Sequence, residues 1–267
     1  MKEFAPDFPR NDSGWVVFPQ ERGGVERKKY FPQRVMKHYA KMHLDIAREL
    51  VKYVSEEGET IMDIMAGTGT MIYAATMGRR VICVEIEDGY HKMQHEVLEL
   101  MRDDCPDIGS RVTLLHGNCK HFLPIPCNHI IFSPPYAGAL KPSKSMAKIV
   151  AEKYYLDEED YHEYAKTAGN VGLLNTFLYN QEMEKIYKLC YQSIKPNGTL
   201  SIVIKDIIRN GARVNLGLRA MKVCVKTGFE LKDWFKREAM GGAWQDIART
   251  KGKGTVDDED IIILRKA

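Results

Sequence analysis

Residues 60–66 form an apolar run that ends in Gly67, Thr68, Gly69 and Thr70 and passes at once into a second apolar run, residues 71–75. Glycines at such a junction let a strand turn directly into a helix and let the backbone approach a ligand closely. The same punctuation continues along the chain. A strand is predicted over 60–66, a helix over 69–78, a strand over 80–86 and a helix over 88–102. Strands over 111–116 and 129–133 follow, then a helix over 180–194, a strand over 199–204, a helix over 214–227, and strands over 229–236 and 260–265. Strands alternating with helices imply an α/β fold with a mainly parallel sheet and helices on both faces. Ahead of the first strand, Ala40, Leu44, Ala47, Leu50 and Val51 share one helical face, which predicts a helix over 35–55, with Gly58 as its C-cap.

At 267 residues the chain suits one large α/β domain, or one with small insertions. Its 44% apolar content argues for a packed core over disorder. A net charge of only +3 leaves any polyanion binding to local patches. No apolar run reaches membrane-spanning length and the first residues lack a signal-peptide pattern, so a cytoplasmic protein is expected. None of the six cysteines forms a Cys-x-x-Cys pair, which argues against a zinc ribbon. His91 and His95 have helical i, i+4 spacing, but no third ligand lies nearby in sequence, so a solvent-facing pair is expected and no metal.

Residues 1–33, rich in Pro, Gly and charge, are predicted to form an extended arm, and 34–267 a single domain. Two stretches do not fit the sheet. Residues 137–179 carry Lys141, Lys144, Lys148, Lys153 and several tyrosines; residues 239–255 carry Trp244, Arg249, Lys251 and Lys253. Both suit a substrate-recognition surface, and their charges could contact phosphates or be plain solvated faces.

Two features suggest chemistry. Glu85 closes the second strand 22 residues after Asp63, a distance at which an acid can hold ribose hydroxyls. The run 129–132 leads into Ser133, Pro134, Pro135 and Tyr136. Two consecutive prolines cannot continue a sheet ladder, so the chain must turn there in a stiff, extended form. The carbonyls of Ser133 and Pro134 become fixed acceptors with an aromatic ring beside them, a site suited to a planar base with an exocyclic amine.

The combination of Asp63-x-x-x-Gly67-x-Gly69-Thr70, an acid on the next strand, and Ser133-Pro134-Pro135-Tyr136 resembles the S-adenosylmethionine-dependent amino-methyltransferases that modify cytosine N4 or adenine N6 in DNA. The resemblance covers roughly residues 31–235. It implies a Rossmann-like methyltransferase fold, a mainly parallel seven-stranded sheet closed by a C-terminal antiparallel hairpin. The Ser form of the tetrapeptide goes mostly with N4-cytosine enzymes. The Gly-rich motif precedes the catalytic one here, the opposite of many such enzymes, as in a circularly permuted arrangement. Carbon-5 cytosine methylation, which needs a Pro-Cys nucleophile loop, is not expected.

By this resemblance Ser133, Pro134, Pro135 and Tyr136 are catalytic. Asp63, Met65, Ala66, Gly67, Thr68, Gly69 and Thr70 line the methionine side of the cofactor, Glu85 and Ile86 its ribose. Asn118 and Cys119 stand where the family contacts adenine, with a simple turn as the alternative for Asn118. Lys37 and His38 belong to a segment similar to the family's His-Pro-x-Lys-Pro, with Tyr39 and Met42 in the proline places; Met65 replaces the usual Phe. Lys141, Lys144, Lys205, Trp244, Arg249 and Lys251 are the expected nucleic-acid contacts. For Lys205 and Asp206 a plain strand-end ion pair is the alternative. The implied function is DNA cytosine-N4 methylation, solitary or beside a cognate restriction endonuclease. RNA cytidine-N4 methylation is the second reading, DNA adenine-N6 methylation the third, and a non-catalytic binding module the alternative from another class.

Overall fold

The protein is described from a computed structural model, in residues 2–19, 25–37, 41–137, 167–239, 249–250, 252 and 254–267. Its centre is a seven-stranded sheet built from β1 (Thr60–Asp63), β2 (Arg80–Glu85), β3 (Val112–His116), β4 (Cys127–Phe132), β5 (Ile194–Ile204), β8 (Glu230–Glu238) and β9 (Asp258–Arg265). The order across the sheet is β3-β2-β1-β4-β5-β9-β8. β1 to β5 run parallel, and β9 runs antiparallel to both β5 and β8. This is the Rossmann-like methyltransferase arrangement with its antiparallel C-terminal pair. The strand order reverses between β1 and β4, and open α/β sheets bind ligands outside the carboxyl ends of the strands at such a switch point.

Side chains alternate across the sheet with period two. Ile61, Ile131, Val203, Ile261 and Ile263 enter one apolar layer; Met62, Ile130, Phe132, Ile202, Ile262 and Leu264 enter the other. The first layer is covered by α3 (Leu44–Val54), a 3-10 helix (Thr70–Met77) and α4 (Asp88–Met101). The second is covered by α6 (Cys119–Phe122), α7 (Thr176–Ser193) and α8 (Leu216–Thr227). With both faces buried, the central strands carry near-continuous apolar runs instead of alternating apolar and polar residues.

The structure departs from the sequence expectations in four places. The predicted helix over 35–55 is interrupted. α2 (Gln33–Lys37), which follows α1 (Val25–Tyr30), ends at Lys37, and α3 begins at Leu44. His43 is extended (φ −63°, ψ 133°), and its Nδ1 accepts the N–H of Asp45, so it caps a new helix. Gly58 is not the C-cap; Ser55 ends α3 in extended form, and Gly58 turns the chain into β1. Residues 70–77 wind as a 3-10 helix between two left-handed glycines, Gly69 (φ +81°) and Gly78 (φ +80°). A hairpin not expected from sequence, β6 (Ile207–Arg209) and β7 (Ala212–Val214), turns on Asn210 and Gly211 (φ +52° and +77°), the geometry that favours Asn-Gly in two-residue turns.

The N-terminal segment folds back on the domain. Phe4 stacks on Phe235 at 4.7 Å between ring centroids. Val16 bonds backbone to backbone with Lys236 and Glu238, shielding the edge of β8. Residues 25–30 of the expected extended arm are the helix α1.

Candidate active site

A cavity of about 890 Å³, including its open mouth, lies at the carboxyl ends of β1, β2 and β4. Its floor is the turn after β1. The backbone of Ala66 is tied to β2 through its N–H on the Val84 carbonyl at 3.0 Å. Gly67 is held on both sides of its peptide groups: its N–H donates to Glu85 Oε2 at 2.6 Å, and its carbonyl accepts from Gln94 Nε2 at 2.8 Å. Gly69 shapes the turn without lining the cavity. A Cβ there would stand 2.9 Å from Ile72 Cδ1 and 3.0 Å from Gln94 Cγ, on a left-handed backbone. Gly69→Ala is expected to lower stability by about 1–3 kcal/mol. A urea denaturation curve checks this through its midpoint.

Asp63 and Glu85 are both buried and both line the cavity. Burial pushes each carboxyl up to about 7. For Asp63, the Met65 N–H on Oδ1 at 3.1 Å opposes the shift and the Glu85 charge adds to it. For Glu85, the N–H groups of Glu87 and Gly67 oppose it and the Glu87 charge adds to it. Two acids held in this way favour a ligand that brings positive charge or hydroxyl donors. S-adenosylmethionine has a sulfonium, an ammonium and ribose hydroxyls, so the donor set fits it.

Met65, Ala66, Gly67, Thr68 and Thr70 also line the cavity, as do Ile86, Asn118 and Cys119. Asn118 caps α6 by accepting the Lys120 N–H at 3.0 Å, and it also donates to the Gly169 carbonyl at 3.3 Å. Both the turn role and the wall role thus fall to this residue. Cys119 is buried, and its thiol is pushed up to about 11 by burial.

Ser133 and Pro135 stand on the β4 side of the same cavity. Pro134 is buried. Tyr136 is half-buried beside Pro135. It packs against the second apolar layer, and its hydroxyl accepts the Lys205 N–H at 3.2 Å. Lys205 meets the tetrapeptide through its backbone. Asp206 accepts Arg213 Nε at 2.8 Å and the N–H groups of Leu216 and Gly217, so it caps α8 and ties down the β6–β7 hairpin.

Other expected residues lie apart from the cavity or beyond view. Lys37 ends α2, and Lys41 and Met42 of the same segment line the wall. Arg249 pairs with Asp257 at 2.8 Å. His38, Lys141, Lys144, Trp244 and Lys251 lie outside the described residues. Pro126-Cys127 is a Pro-Cys pair, but it opens β4 at the end of the strand away from the cavity, and burial pushes the Cys127 thiol up to about 12. It is no nucleophile for this site. His91 and His95 bring their Nε2 atoms to 3.3 Å, and His116 stacks on His91. Among the described residues no group of three or more His, Cys, Asp or Glu is arranged to hold a metal.

Lys41 and Met42 belong to the segment similar to His-Pro-x-Lys-Pro, whereas other wall residues had no signal in the sequence: Glu87, Tyr90, and Gly169 to Val171. Behind the wall, Arg27 is fully buried and donates to Thr70 Oγ1 at 3.0 Å and to the Met42 carbonyl at 2.8 Å. Its guanidinium lies 4.3 Å from the Phe31 ring centroid. A charged residue in a Pro/Gly-rich segment gives no hint of such a post.

Residues 12–96 match the N6/N4 methyltransferase family described as DNA methylase. No curated protein matches the chain in sequence. Among solved structures, a SAM-dependent methyltransferase from Methanosarcina mazei superposes with a TM-score of 0.50 at 12% identity, over 81% of this chain and 96% of that one. The glycopeptide N-methyltransferase MtfA, complexed with S-adenosylhomocysteine, gives 0.50 at 13% identity, over 86% and 91%. A methyltransferase from Pyrococcus furiosus gives 0.47 at 15% identity, over 83% and 82%. Among the described residues no helix is long and apolar enough to cross a membrane.

Proposed function

From the match to the DNA methylase family, which supports an S-adenosylmethionine-dependent methyltransferase of the N4/N6 amino-methylating kind, we propose that this chain methylates the exocyclic N4 amine of cytosine in DNA. The observation that carries the reading is the tetrapeptide Ser133–Tyr136 at the carboxyl end of β4, with Ser133 and Pro135 on the wall of the cavity that holds Asp63 and Glu85.

The exocyclic amine of cytosine is a poor nucleophile because its lone pair is delocalised into the ring. Ser133 and the carbonyl of Pro134 accept the amine's two protons in hydrogen bonds. That returns electron density to nitrogen and favours a tetrahedral amine. S-adenosylmethionine, when bound, supplies the electrophilic methyl on its sulfonium. Asp63 and Glu85 orient the partner by charge and hydrogen bonds, and the two prolines keep the acceptors fixed. Positioning and electrostatics provide the rate, with no covalent bond to the protein. A base in a duplex must be flipped out to reach this site. On this reading the chain acts in the cytoplasm, alone or beside a restriction endonuclease, and its lysine-rich insertions contact phosphates.

Incubation with methyl-labelled S-adenosylmethionine and, separately, unmodified genomic DNA and ribosomal RNA, followed by digestion to nucleosides, tests the substrate. Label in N4-methylcytosine from DNA is expected. Label only in RNA cytidine, or in N6-methyladenine, would overturn the choice of substrate while keeping the chemistry.

A further inference from the structure

The insertion that follows the tetrapeptide rejoins the described chain at Thr167, and from there it crosses the cavity. Gly169, Asn170 and Val171 form part of the wall, and residues 171–173 make a 3-10 turn before α7. The principal polar fastening of this strap is Glu87. Glu87 Oε1 accepts from Asn170 Nδ2 at 2.7 Å and from the Thr167 N–H at 3.3 Å, while Oε2 accepts the Thr167 hydroxyl at 2.7 Å. A second, weaker tie is the Asn118 amide on the Gly169 carbonyl at 3.3 Å.

Glu87 is unusually placed for this task. It is the N-cap residue of α4, where an acidic side chain ordinarily accepts the N–H groups of the first turn. Its side chain makes no such cap and turns across the cavity to the strap. It is 5% exposed, so the bonds it makes there are shielded from water. Its own backbone N–H is held by Glu85, two residues earlier. One short segment therefore joins a floor carboxylate, the first turn of α4 and the strap.

We propose that Glu87 is a positioning residue that clasps the 167–173 strap over the cofactor, so that cofactor residence depends on the same segment that ends the substrate-recognition insertion. The inference rests on the reading that the cavity takes S-adenosylmethionine. It adds a link: the wall segment 169–171 is held at the cavity through Glu87, so both ligands are expected to lose affinity together when the clasp is cut.

The test measures binding of S-adenosylmethionine and S-adenosylhomocysteine by calorimetry, together with the melting temperature of the ligand-free protein. Glu87→Asp shortens the side chain by one methylene. It loses the strap but gains the geometry to cap α4. Its ligand-free melting temperature is expected to equal or exceed wild type while both dissociation constants rise roughly tenfold, as the loss of a charge-assisted bond predicts. A residue with a merely structural role would move the two readouts together. Glu87→Gln keeps an acceptor for Asn170 and the Thr167 N–H but loses the charge, so both dissociation constants are expected to rise, by less than in Glu87→Asp. The pair Thr167→Val with Asn170→Ala removes both side-chain bonds of the clasp and leaves only the longer bond from the residue 167 N–H. Its loss should match that of Glu87→Asp, and combining all three should add nothing. Wild-type affinity in Glu87→Asp, or losses that sum, would overturn the clasp. A wild-type protein that binds neither ligand would overturn the reading of the cavity itself and the clasp with it.

Discussion

Replacing both Ser133 and Tyr136 by alanine is expected to reduce methyl transfer by roughly 10²–10³-fold, the range seen when preorganised polar groups are removed from a reacting centre. Cofactor affinity should stay within a few-fold of wild type. The prediction follows from the division of the cavity. The cofactor side is built on β1 and β2, where Asp63, Gly67 and Glu85 are pinned by backbone bonds that do not involve β4. The acceptors proposed for the amine belong to the turn after β4, whose Ser133 and Pro135 line the cavity. Single variants separate the two contributions. Ser133→Ala removes the hydroxyl acceptor and leaves the carbonyls of Ser133 and Pro134. Tyr136→Phe removes only the bond to the Lys205 N–H, and a modest loss is expected because the ring still packs on the apolar layer. Tyr136→Ala removes the ring, and the full loss of its contribution follows. Single-turnover kinetics with saturating cofactor, beside calorimetric affinities, check both halves. A parallel collapse of cofactor binding would show that the β4 turn supports the cofactor and not the reaction.

The second large effect is pH dependence with opposite signs for binding and for stability. Asp63 and Glu85 both ionise near 7 in the ligand-free protein, against about 4 in an unfolded chain. Between those values the native state holds protons that the unfolded chain has released. Stability from these two groups is therefore greatest at low pH and falls as pH rises towards 7. Cofactor binding runs the other way. The sulfonium and ammonium charges favour ionised carboxylates, so binding below pH 7 releases protons, and affinity should rise by roughly tenfold per unit if one carboxyl ionises on binding and roughly a hundredfold if both do, levelling off above about 7. Asp63→Asn removes an ionisable group from the apolar floor. It is expected to raise the melting temperature of the ligand-free protein at pH 8 and to weaken cofactor binding at the same pH. Such a trade between stability and function is common at binding sites. Calorimetry across pH 5.5–8.5 in buffers of different ionisation enthalpy counts the released protons directly. A flat affinity profile, or a destabilised Asp63→Asn, would contradict the assignment.

Much of this fold was legible from local pattern. The βαβ spacing around Gly67 and Gly69 places β1, β2 and α4 within a few residues of their observed bounds, because the strands are short apolar runs and α4 repeats apolar residues at helical spacing (Tyr90, Met93, Val97, Leu98, Met101). The non-helical stretch at residues 41–43, ahead of α3, was not legible. Its cause is the extended His43 and the capture of the Met42 carbonyl by Arg27 and Thr70, contacts that sequence spacing does not encode. The hairpin turning on Asn210 and Gly211 did carry a local signal, and it went unread between two stronger elements. The tetrapeptide and the acids of β1 and β2 were identifiable as candidates because their chemistry is confined to a few adjacent residues.

The rest of the cavity wall depends on long-range packing. Asn170 reaches Glu87 across 83 positions, and Arg27 reaches Thr70 across 43. No periodicity links such pairs. The raised carboxyl pKa values were hidden for the same reason, since burial is set by the layers of helices on both sides of the sheet.

The central claim is that one cavity, at the switch point between β1 and β4, brings a cofactor and a target amine together. The most direct measurement is a crystal structure of the full chain with S-adenosylhomocysteine. The ribose hydroxyls are predicted on Glu85, the adenine beside Ile86, Asn118 and Cys119, the amino-acid end near Asp63 and Thr68, and the sulfur facing Ser133 and Pro134. A ligand bound elsewhere on the protein, or with its sulfur turned away from the β4 turn, would contradict the account.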